Sequence, residues 1–452
     1  MSPSHRSMNR RFLMKLAAAG ATITGISLPA SGFTAAAAAQ DQGKITFWLD
    51  VTGGSDTAQW LIDNTIQQYN EQGGLQVEAT MQANGWTATQ TALAGGAGPD
   101  IVITPGPSLS AELGKAGQVL ALDDYAAQYG WVESFTPWAI DLGKTQDKLI
   151  ALSAEVETLM LYYNKTLFTD QGWTTPTTID ELTALAQTIA DAGYMPFAHT
   201  NAEWRGTNEW FVTEFLNHHA GPDKVYQALT GELPWTDQAF VDALTVLDTY
   251  QKNGWFMGGL DRYYTTPSAD ANAALAYGDA AMKIEGTWLV TNANIFFEES
   301  GQEWDWVPMP STSGEEIYDL GIGSTYSINA NSQNPDGAAE FLNYFFSAEE
   351  QAKMVTGIGL APAPVDIPSE LLTDLDDRQA RMIERLNEAS GGGSYGYTTW
   401  TFWPAKSETY LIEEIEKVWA GNIDVATYLQ GLQDIFAQEL ADGAVPPIPS
   451  RS

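Results

Sequence analysis

The chain has 452 residues and contains no cysteine, which excludes disulfides, thiolate metal sites and a lipid anchor attached to cysteine. With 57 acidic against 21 basic residues, its net charge is −36. Nucleic acid and anionic membrane surfaces are poor partners for such a chain, and we expect it to bind neither.

The first 39 residues have the pattern of an export signal. Residues 9–15 contain the pair Arg10 and Arg11, an apolar stretch follows over residues 16–28, and small residues precede Gln40. The apolar stretch is shorter than the roughly 20 residues that a membrane span needs. We therefore expect a twin-arginine signal peptide at 1–39 and a mature protein in the periplasm or outside the cell. An N-terminal membrane anchor is the alternative.

The 413 residues after this segment exceed what one hydrophobic core supports, so two domains are expected. They hold 57 acidic and 17 basic residues, a net charge of −40. Such a charge opposes the binding of anionic ligands unless a local basic pocket exists.

The first third of the mature chain alternates predicted strands and helices. Strands are expected at residues 44–49, 75–81 and 101–103, and helical spacing of apolar residues lies between them. This βαβαβ order predicts a parallel sheet with helices on both faces and a ligand outside the carboxyl ends of its strands. Asp50 ends the first of these strands, and Trp86 lies in the loop after the second.

The stretch at residues 153–168 combines two carboxylates with a buried strand. Residues 159–163 form a short, continuous apolar and aromatic run, which predicts a strand buried on both faces. Glu155 and Glu157 come just before it, and a carboxylate entering a buried strand must be hydrated, paired or bound to a ligand. A solvated loop charge is the alternative reading of Glu157.

Three separated segments resemble the extracellular solute-binding proteins of ATP-driven (ABC-type) importers, above all the maltose-binding-like sugar branch. They are residues 155–168, residues 95–100, which complete an Ala-x-Gly-x-x-Pro-Asp signature, and residues 276–288, which end in Glu285-Gly286-Thr287-Trp288. The segment at 95–100 lacks the Gly-Lys-Ser/Thr ending of a phosphate-binding loop and does not directly follow a strand, so that reading is rejected.

The resemblance implies an α/β fold of two lobes, each a mostly parallel sheet flanked by helices, with a hinge between them. It implies an N-terminal lobe of residues 40–156 and 322–361 and a C-terminal lobe of residues 157–321 and 362–452. Within the second lobe, Thr178 and Glu181 predict a helix start by a capping box. Residues 282–284 predict a short strand, residues 391–403 a glycine- and aromatic-rich loop, and two helices close the chain.

The resemblance also suggests which side chains contact a ligand. Trp288 matches a tryptophan that stacks on a pyranose ring, and Glu157 matches a carboxylate that accepts hydrogen bonds from sugar hydroxyls. The full set of candidate ligand contacts is Asp50, Trp86, Glu157, Trp204, Arg205, Glu285, Trp288, Gly323, Trp400 and Trp403. The loop after residue 103 reads Thr-Pro-Gly-Pro where maltose binders carry an aromatic residue and an aspartate, which puts maltose in doubt.

No metal site or cofactor is predicted. His218 and His219 are adjacent, so they diverge on a helix and lack the i,i+4 spacing of two ligands on one face. Asp374, Asp376 and Asp377 are read as a solvated charge run, since the glycine of a calcium loop is missing.

The function expected is therefore a carbohydrate-binding protein that delivers its ligand to the transmembrane subunits of an ABC importer, without enzymatic activity and as a monomer. A secreted glycoside hydrolase is one alternative, which would need an acid and a carboxylate about 5–10 Å apart across the scissile bond. A binding protein for a phosphorylated polyol such as glycerol phosphate is another, which would need clustered basic residues. Which sugar binds is left open.

Overall fold

The structure is a computed structural model that describes residues 43–451 apart from 52–54, 84, 203–204, 360, 374 and 450. The predicted signal peptide and the candidate contact Trp204 lie outside the described residues. None of the helices in the described part combines the length and the apolar composition that crossing a membrane requires.

The strands occur in three sheets of the described chain. In chain order they are β1 (Lys44–Asp50), β2 (Gln76–Gln82), β3 (Ile101–Thr104), β4 (Lys144–Thr145), β5 (Lys148–Leu149), β6 (Leu152–Glu157), β7 (Leu159–Asn164), β8 (Met195–Phe197), β9 (Ala280–Gly286), β10 (Trp304–Pro308), β11 (Tyr318–Ile328) and β12 (Tyr395–Tyr397). The pair β4 and β5 forms the smallest sheet, which stands apart from the other two.

The helices are mostly short and surround the two larger sheets. In chain order they are α1 (Asp56–Leu61), α2 (Gln67–Glu71), α3 (Gly85–Ala94), α4 (Pro107–Lys115), α5 (Asp123–Tyr129), α6 (Trp131–Ser134), α7 (Pro137–Leu142), α8 (Lys165–Gln171), α9 (Ile179–Asp191), α10 (Thr207–Glu214), α11 (Pro222–Leu229), α12 (Gln238–Lys252), α13 (Leu260–Tyr263), α14 (Ser268–Ala276), α15 (Leu289–Ser300), α16 (Pro335–Phe345), α17 (Ala348–Ile358), α18 (Asp377–Gly392), α19 (Thr399–Phe402), α20 (Ala405–Trp419) and α21 (Val425–Ala441). Two π-helical segments, Ile62–Ile66 and Phe215–Ala220, continue α1 and α10, and Ser369–Leu371 is a 3-10 turn.

The first large sheet has the strand order β12-β11-β3-β1-β2, and β6 also pairs with β11. β1 lies between β2 and β3 and is parallel to both, which confirms the predicted βαβαβ unit. β11 runs antiparallel to β3 and β6 and parallel to β12. It is the longest described strand, with 11 residues, and so connects elements from distant parts of the chain.

The second large sheet has the order β10-β7-β9-β8 and is mainly antiparallel. β7 is antiparallel to both β9 and β10, and only β8 and β9 are parallel. The expectation of a mostly parallel sheet is therefore wrong for this half of the molecule. β9 ends at Gly286 opposite Leu159, where β7 begins, so the two strands must run in opposite directions.

The two large sheets pack into two main hydrophobic cores, and β11 contributes residues to both. The core around β1 and β3 includes Phe47 and Phe341, and the core around β7 and β9 includes Met160 and Ile284, all of them without exposed surface. β7 is buried along almost its whole length, as its continuous apolar run predicts.

Local sequence signals explain several element boundaries. The Thr178 hydroxyl accepts a hydrogen bond from the Glu181 backbone N–H, and the Glu181 carboxylate accepts one from the Thr178 backbone N–H, which confirms the capping box at the start of α9. Trp288 directly precedes α15, as predicted, while the strand before it is longer than predicted. The loop predicted at residues 391–403 is wrong, because the parallel pairing of β12 with β11 and the turn of α19 both fall inside it.

Candidate ligand-binding site

Several of the predicted site residues meet where β6, β9 and β11 approach one another. Glu157 ends β6 and is paired with Gly321 of β11. Gly321 and Gly323 lie on the same face of β11 because they are two residues apart. These two positions lack side chains, so that face of the strand is covered by groups from neighbouring elements.

Three tryptophans, here named the tryptophan cluster, form an aromatic wall beside β11: Trp210, Trp288 and Trp400. The ring centroid of Trp288 lies 5.1 Å from that of Trp210 and 6.4 Å from that of Trp400. Trp288 and Trp400 are half-buried, whereas Trp210 is buried. The two half-buried rings keep surface that can pack against an apolar face of a ligand.

The sequence around Trp288 fixes the orientation of its ring. The ring lies over Gly286, where a Cβ atom would overlap it, so only glycine fits there. The indole N–H donates to an Oε atom of Glu285 at 2.7 Å, and the other Oε atom of Glu285 forms an ion pair with Lys283 at 3.1 Å. Lys283 also donates to Asn272. Glu285 is thus engaged by groups of the protein, and it positions Trp288.

Trp400 contacts both β11 and the loop after β3. Its ring edge packs on Gly321, where a Cβ atom would lie 3.0 Å from the ring. Its carbonyl oxygen would lie 3.0 Å from a Cβ atom at Gly106, which has a φ of +92° and therefore favours glycine. The indole N–H of Trp400 is buried and has no acceptor among the described residues. It is a donor with unused capacity at the site.

Glu157 lies directly over Gly323, so closely that a Cβ atom there would overlap the carboxylate. The side chain is half-buried, and no group in the described part of the chain donates a hydrogen bond to it. Burial, reinforced by the neighbouring charge of Glu155, raises the pKa of Glu157 well above its ordinary value. Glu157 therefore presents unused hydrogen-bonding capacity beside the tryptophan cluster.

Glu155 is held in an unusual conformation next to Glu157. Its φ of +57° is rare for a residue with a side chain, and such strain is found most often at functional sites. Its carboxylate accepts a hydrogen bond from Ser324 at 2.9 Å. Burial raises the pKa of Glu155, and the bond from Ser324 partly opposes this rise. The strained backbone places a second carboxylate beside β11, against Ser324.

The chemistry of this arrangement is that of a binding surface. Half-buried aromatic rings provide flat apolar walls, and Glu155, Glu157 and the Trp400 N–H provide a few placed polar groups. Binding pockets for small molecules combine these two components. A molecule with apolar C–H faces and several hydroxyl groups would satisfy both.

Asp50 lies at the carboxyl edge of the first large sheet against Gly85, and the neighbouring Trp86 lies in the first turn of α3 rather than in the predicted loop. Gly85 lies against Asp50, where a Cβ atom would be 3.0 Å from the Asp50 Cβ. Asp50 is exposed, while Trp86 is half-buried and packs against a small apolar cluster that includes Leu93 and Val102. Their contact with a ligand stays a prediction.

Arg205 and Trp403 both interact with other groups of the protein, Arg205 at the surface and Trp403 in the interior. Arg205 donates to both oxygens of Glu416 on α20, at 3.1 and 2.7 Å. Trp403 has no exposed surface and packs on Trp235 with ring centroids 5.1 Å apart. The prediction that Trp403 contacts a ligand is wrong, because its ring belongs to the hydrophobic core.

The sequence prediction missed Trp210 and Glu155 as members of the site. Trp210 lies within α10, whose side chains are all buried, and its contact with Trp288 comes from the packing of distant segments, which no local pattern indicates. Glu155 could have been selected because it lies two residues before Glu157 in the same carboxylate-bearing segment.

Comparisons with known proteins agree with this architecture. The model of the family described as bacterial extracellular solute-binding protein matches residues 64–374. The chain is 29% identical over 177 residues to the alpha-glucosides-binding periplasmic protein AglE of Rhizobium meliloti, a match that covers 36% of this chain and 38% of AglE. It is 23% identical over 379 residues to the osmoprotective compounds-binding protein GgtB of Synechocystis sp., covering 79% of this chain and 89% of GgtB.

The fold is shared with solved structures. A chitin oligosaccharide binding protein superposes with a TM-score of 0.74 at 20% sequence identity, covering 88% of this chain and 100% of that chain. This similarity confirms the predicted two-lobed α/β fold of periplasmic binding proteins.

Proposed function

Because the chain belongs to the family of bacterial extracellular solute-binding proteins, we propose that it captures a carbohydrate outside the cytoplasm and delivers it to the transmembrane subunits of an ABC importer. The observation that carries this proposal is the tryptophan cluster beside Glu157. Sugar rings present apolar C–H faces that pack on aromatic rings, and their hydroxyl groups donate to carboxylates.

The names of similar proteins support a sugar as the ligand class. Alpha-glucosides, diacetylchitobiose and xylose or arabinose stand in the names of three of them, from Rhizobium meliloti, Streptomyces coelicolor and Haloferax volcanii. These proteins are 25–29% identical to the chain over part of its length. The individual sugar is therefore a matter for experiment.

The electrostatics favour a neutral ligand over a phosphorylated polyol. Lys283 and Arg205 are both paired with carboxylates of the protein, at 3.1 and 2.7 Å. The side chains that cover β11 at the site include Glu155 and Glu157, which repel a phosphate when ionised. A phosphorylated ligand would need basic side chains that replace these interactions.

We also propose the division of the chain that the resemblance implies. Residues 1–39 are a twin-arginine signal peptide, residues 40–156 with 322–361 form one lobe, and residues 157–321 with 362–452 form the other. A sugar bound between the lobes closes them by a hinge motion. Small-angle scattering with saturating sugar should show compaction, and an unchanged scattering curve would contradict hinge closure.

Binding calorimetry of the purified protein against mono- and oligosaccharides, with glycerol phosphate included, tests the function. We expect saturable binding of a sugar at one site and no reaction product by chromatography of the same mixtures. Turnover of an oligosaccharide would instead support the glycoside hydrolase alternative. Binding of glycerol phosphate alone would contradict a neutral ligand.

A further inference from the structure

Three ionisable side chains meet inside the hydrophobic core around β7 and β9, away from the tryptophan cluster. They are Glu214 at the end of α10, His218 in the π-helical segment Phe215–Ala220, and Asp319 near the start of β11. All three side chains are at most 1% exposed. The Nε2 atom of His218 lies 3.4 Å from an oxygen of Glu214 and 3.7 Å from an oxygen of Asp319.

The carboxylates of Glu214 and Asp319 accept no hydrogen bond from the described part of the chain. Within the described residues, no N–H or hydroxyl group donates to any of the four carboxylate oxygens of Glu214 and Asp319. Carboxylates are almost never fully buried without a partner, because removing an unpaired charge from water is costly. Burial raises the pKa of Asp319, and the guanidinium group of Arg451 partly opposes this rise. The hydrogen bonds of that guanidinium group go to Asp223, Tyr395 and Gly393.

His218 is a neutral base that faces the carboxylates. Its Nδ1 atom lies 2.9 Å from the carbonyl oxygen of Met309, and a carbonyl can only accept, so Nδ1 carries the proton. The lone pair of Nε2 therefore faces Glu214 and Asp319. Burial lowers the pKa of His218 to about 3, so no imidazolium charge balances the carboxylates at neutral pH. A histidine that donates Nδ1–H to a carbonyl is also the arrangement that orients metal ligands.

The spacing of the three groups suits a metal ion. One ligand atom from each residue lies within 4.8 Å of the others. Tetrahedral bonds of about 2.1 Å separate neighbouring ligand atoms by roughly 3.4 Å, close to the spacings of Nε2 from the two carboxylates. We propose that Glu214, His218 and Asp319 bind a divalent transition-metal ion, with zinc as the leading candidate and manganese as the second. Imidazole with two carboxylates is a donor set that both ions accept.

The surrounding elements hold these ligands in place. Asn217, on the same π-helical turn as His218, donates to the carbonyl of Tyr397 and accepts from its N–H. Gly396 of β12 lies against Asp319, where a Cβ atom would overlap its carboxylate. A bound ion would therefore link the π-helical turn to β11 and add to the stability of the core around β7 and β9.

A proton shared between Glu214 and Asp319 is the competing explanation of the same cluster. Burial and the neighbouring Asp319 raise the pKa of Glu214, and burial raises the pKa of Asp319 to about 8. In that case the cluster needs no ion, and added metal leaves the stability of the protein unchanged.

The test measures metal content and melting temperature of the purified protein. After chelation and dialysis, the protein is titrated with Zn²⁺ or Mn²⁺ alone, and bound metal is measured by mass spectrometry. We expect about one tightly held ion per chain and a melting temperature that rises by several degrees when the ion is restored. This arm needs no variant, so it holds even if substitutions in the cluster prevent folding.

Variants then locate the ion within the protein. This step separates the buried site from the weak binding of cations at the surface that a chain of this negative charge shows. Glu214→Gln and Asp319→Asn should weaken tight binding at least tenfold. Glu209→Gln is the matched control, since Glu209 is a buried glutamate of the same helix α10 that accepts from Thr399 at 3.0 Å. Equal metal binding by the Glu214→Gln and Glu209→Gln variants, or no rise in melting temperature of the chelated protein, would overturn the proposal and favour the shared proton.

Discussion

Two groups of carboxylates lie along β11, and they differ in what surrounds them. Beside Gly323, Glu155 and Glu157 are half-buried, Ser324 donates to one of them, and the tryptophan cluster lies next to them. Near the start of the strand, Glu214 and Asp319 are fully enclosed and the His218 ring faces both of them. The first group is open to a small molecule, whereas only an ion or a proton could fill the second.

The difference shows how one strand can carry two kinds of site. A half-buried carboxylate keeps contact with water until a ligand replaces it, so its unused capacity is available for binding. A fully enclosed carboxylate must be neutralised when the chain folds. The exposure of the side chain, more than its type, therefore indicates which partner it is suited to.

The largest effect on ligand binding is expected from Trp288→Ala. This change removes the half-buried ring that Gly286 and Glu285 hold in place, and truncation of an aromatic anchor typically costs about 2–4 kcal/mol of affinity. Calorimetry with the sugar identified for the wild type measures it. Trp173→Ala is the control, because Trp173 is also half-buried but packs on Phe168 and Tyr194. Equal affinities of the two variants would exclude the tryptophan cluster from the binding site.

A smaller loss of affinity is expected from Gly323→Ala. The added methyl group would overlap the carboxylate of Glu157 and displace it from β11, which should weaken sugar binding by about 2 kcal/mol. Gly391→Ala is the control, since Gly391 has no heavy atom within 4 Å of an added Cβ. Unaltered affinity in Gly323→Ala would show that the position of Glu157 does not matter to the ligand.

The sequence predicted the parts of this fold that depend on local pattern. The apolar periodicity of residues 44–103 predicted the parallel arrangement of β1, β2 and β3, and the continuous run at 159–163 predicted the buried strand β7. The family-like segments led to Glu157 and Trp288, which the structure brings together near Gly321 of β11, Glu157 by strand pairing and Trp288 through its contact with Trp400. These signals lie within short segments, so they are readable without tertiary contacts.

Features that depend on contacts between distant segments were not predicted. Trp400 and Trp403 are three residues apart, yet the turn of α19 exposes part of the first ring and buries the second in the core. Asp319 reaches Glu214 and His218 only through the register of β11, and the sequence argument on His218 considered its neighbour His219 rather than Glu214. Burial of polar groups is a property of the assembled core, which a linear pattern does not contain.

Glu157→Gln tests whether the charge of the half-buried Glu157 carboxylate contributes to ligand binding and makes that binding depend on pH. Glutamine keeps one acceptor but removes the charge, so sugar binding should weaken by about 1–2 kcal/mol, while an anionic ligand would bind more tightly or equally. Because the pKa of Glu157 is raised, the wild type should bind sugar more tightly as rising pH ionises this carboxyl, and the variant should not. Calorimetry of both proteins over a series of pH values measures this. A parallel pH dependence in the two proteins would show that Glu157 does not titrate with binding.

Glu209→Gln, with the smallest expected effect, tests a carboxyl intermediate between the two groups. Glu209 is 3% exposed like the enclosed group, but it accepts a hydrogen bond from Thr399, next to the tryptophan cluster.

Burial raises the pKa of Glu209 to about 8, so the folded protein keeps this proton up to that pH whereas the unfolded chain loses it near its ordinary value. The free energy of unfolding of the wild type should therefore fall as pH rises from about 5 to 8. Glutamine stays neutral in both states, so the variant should gain stability relative to the wild type as pH rises from 5 to 8. Denaturant unfolding at both pH values measures the difference. Glu181→Gln is the control, and its effect on the free energy of unfolding should have the opposite sign. The reason is that backbone and side-chain hydrogen bonds from Thr177 and Thr178 lower the pKa of Glu181. A gain for Glu209→Gln of the same size at both pH values would mean that burial does not hold the proton on Glu209.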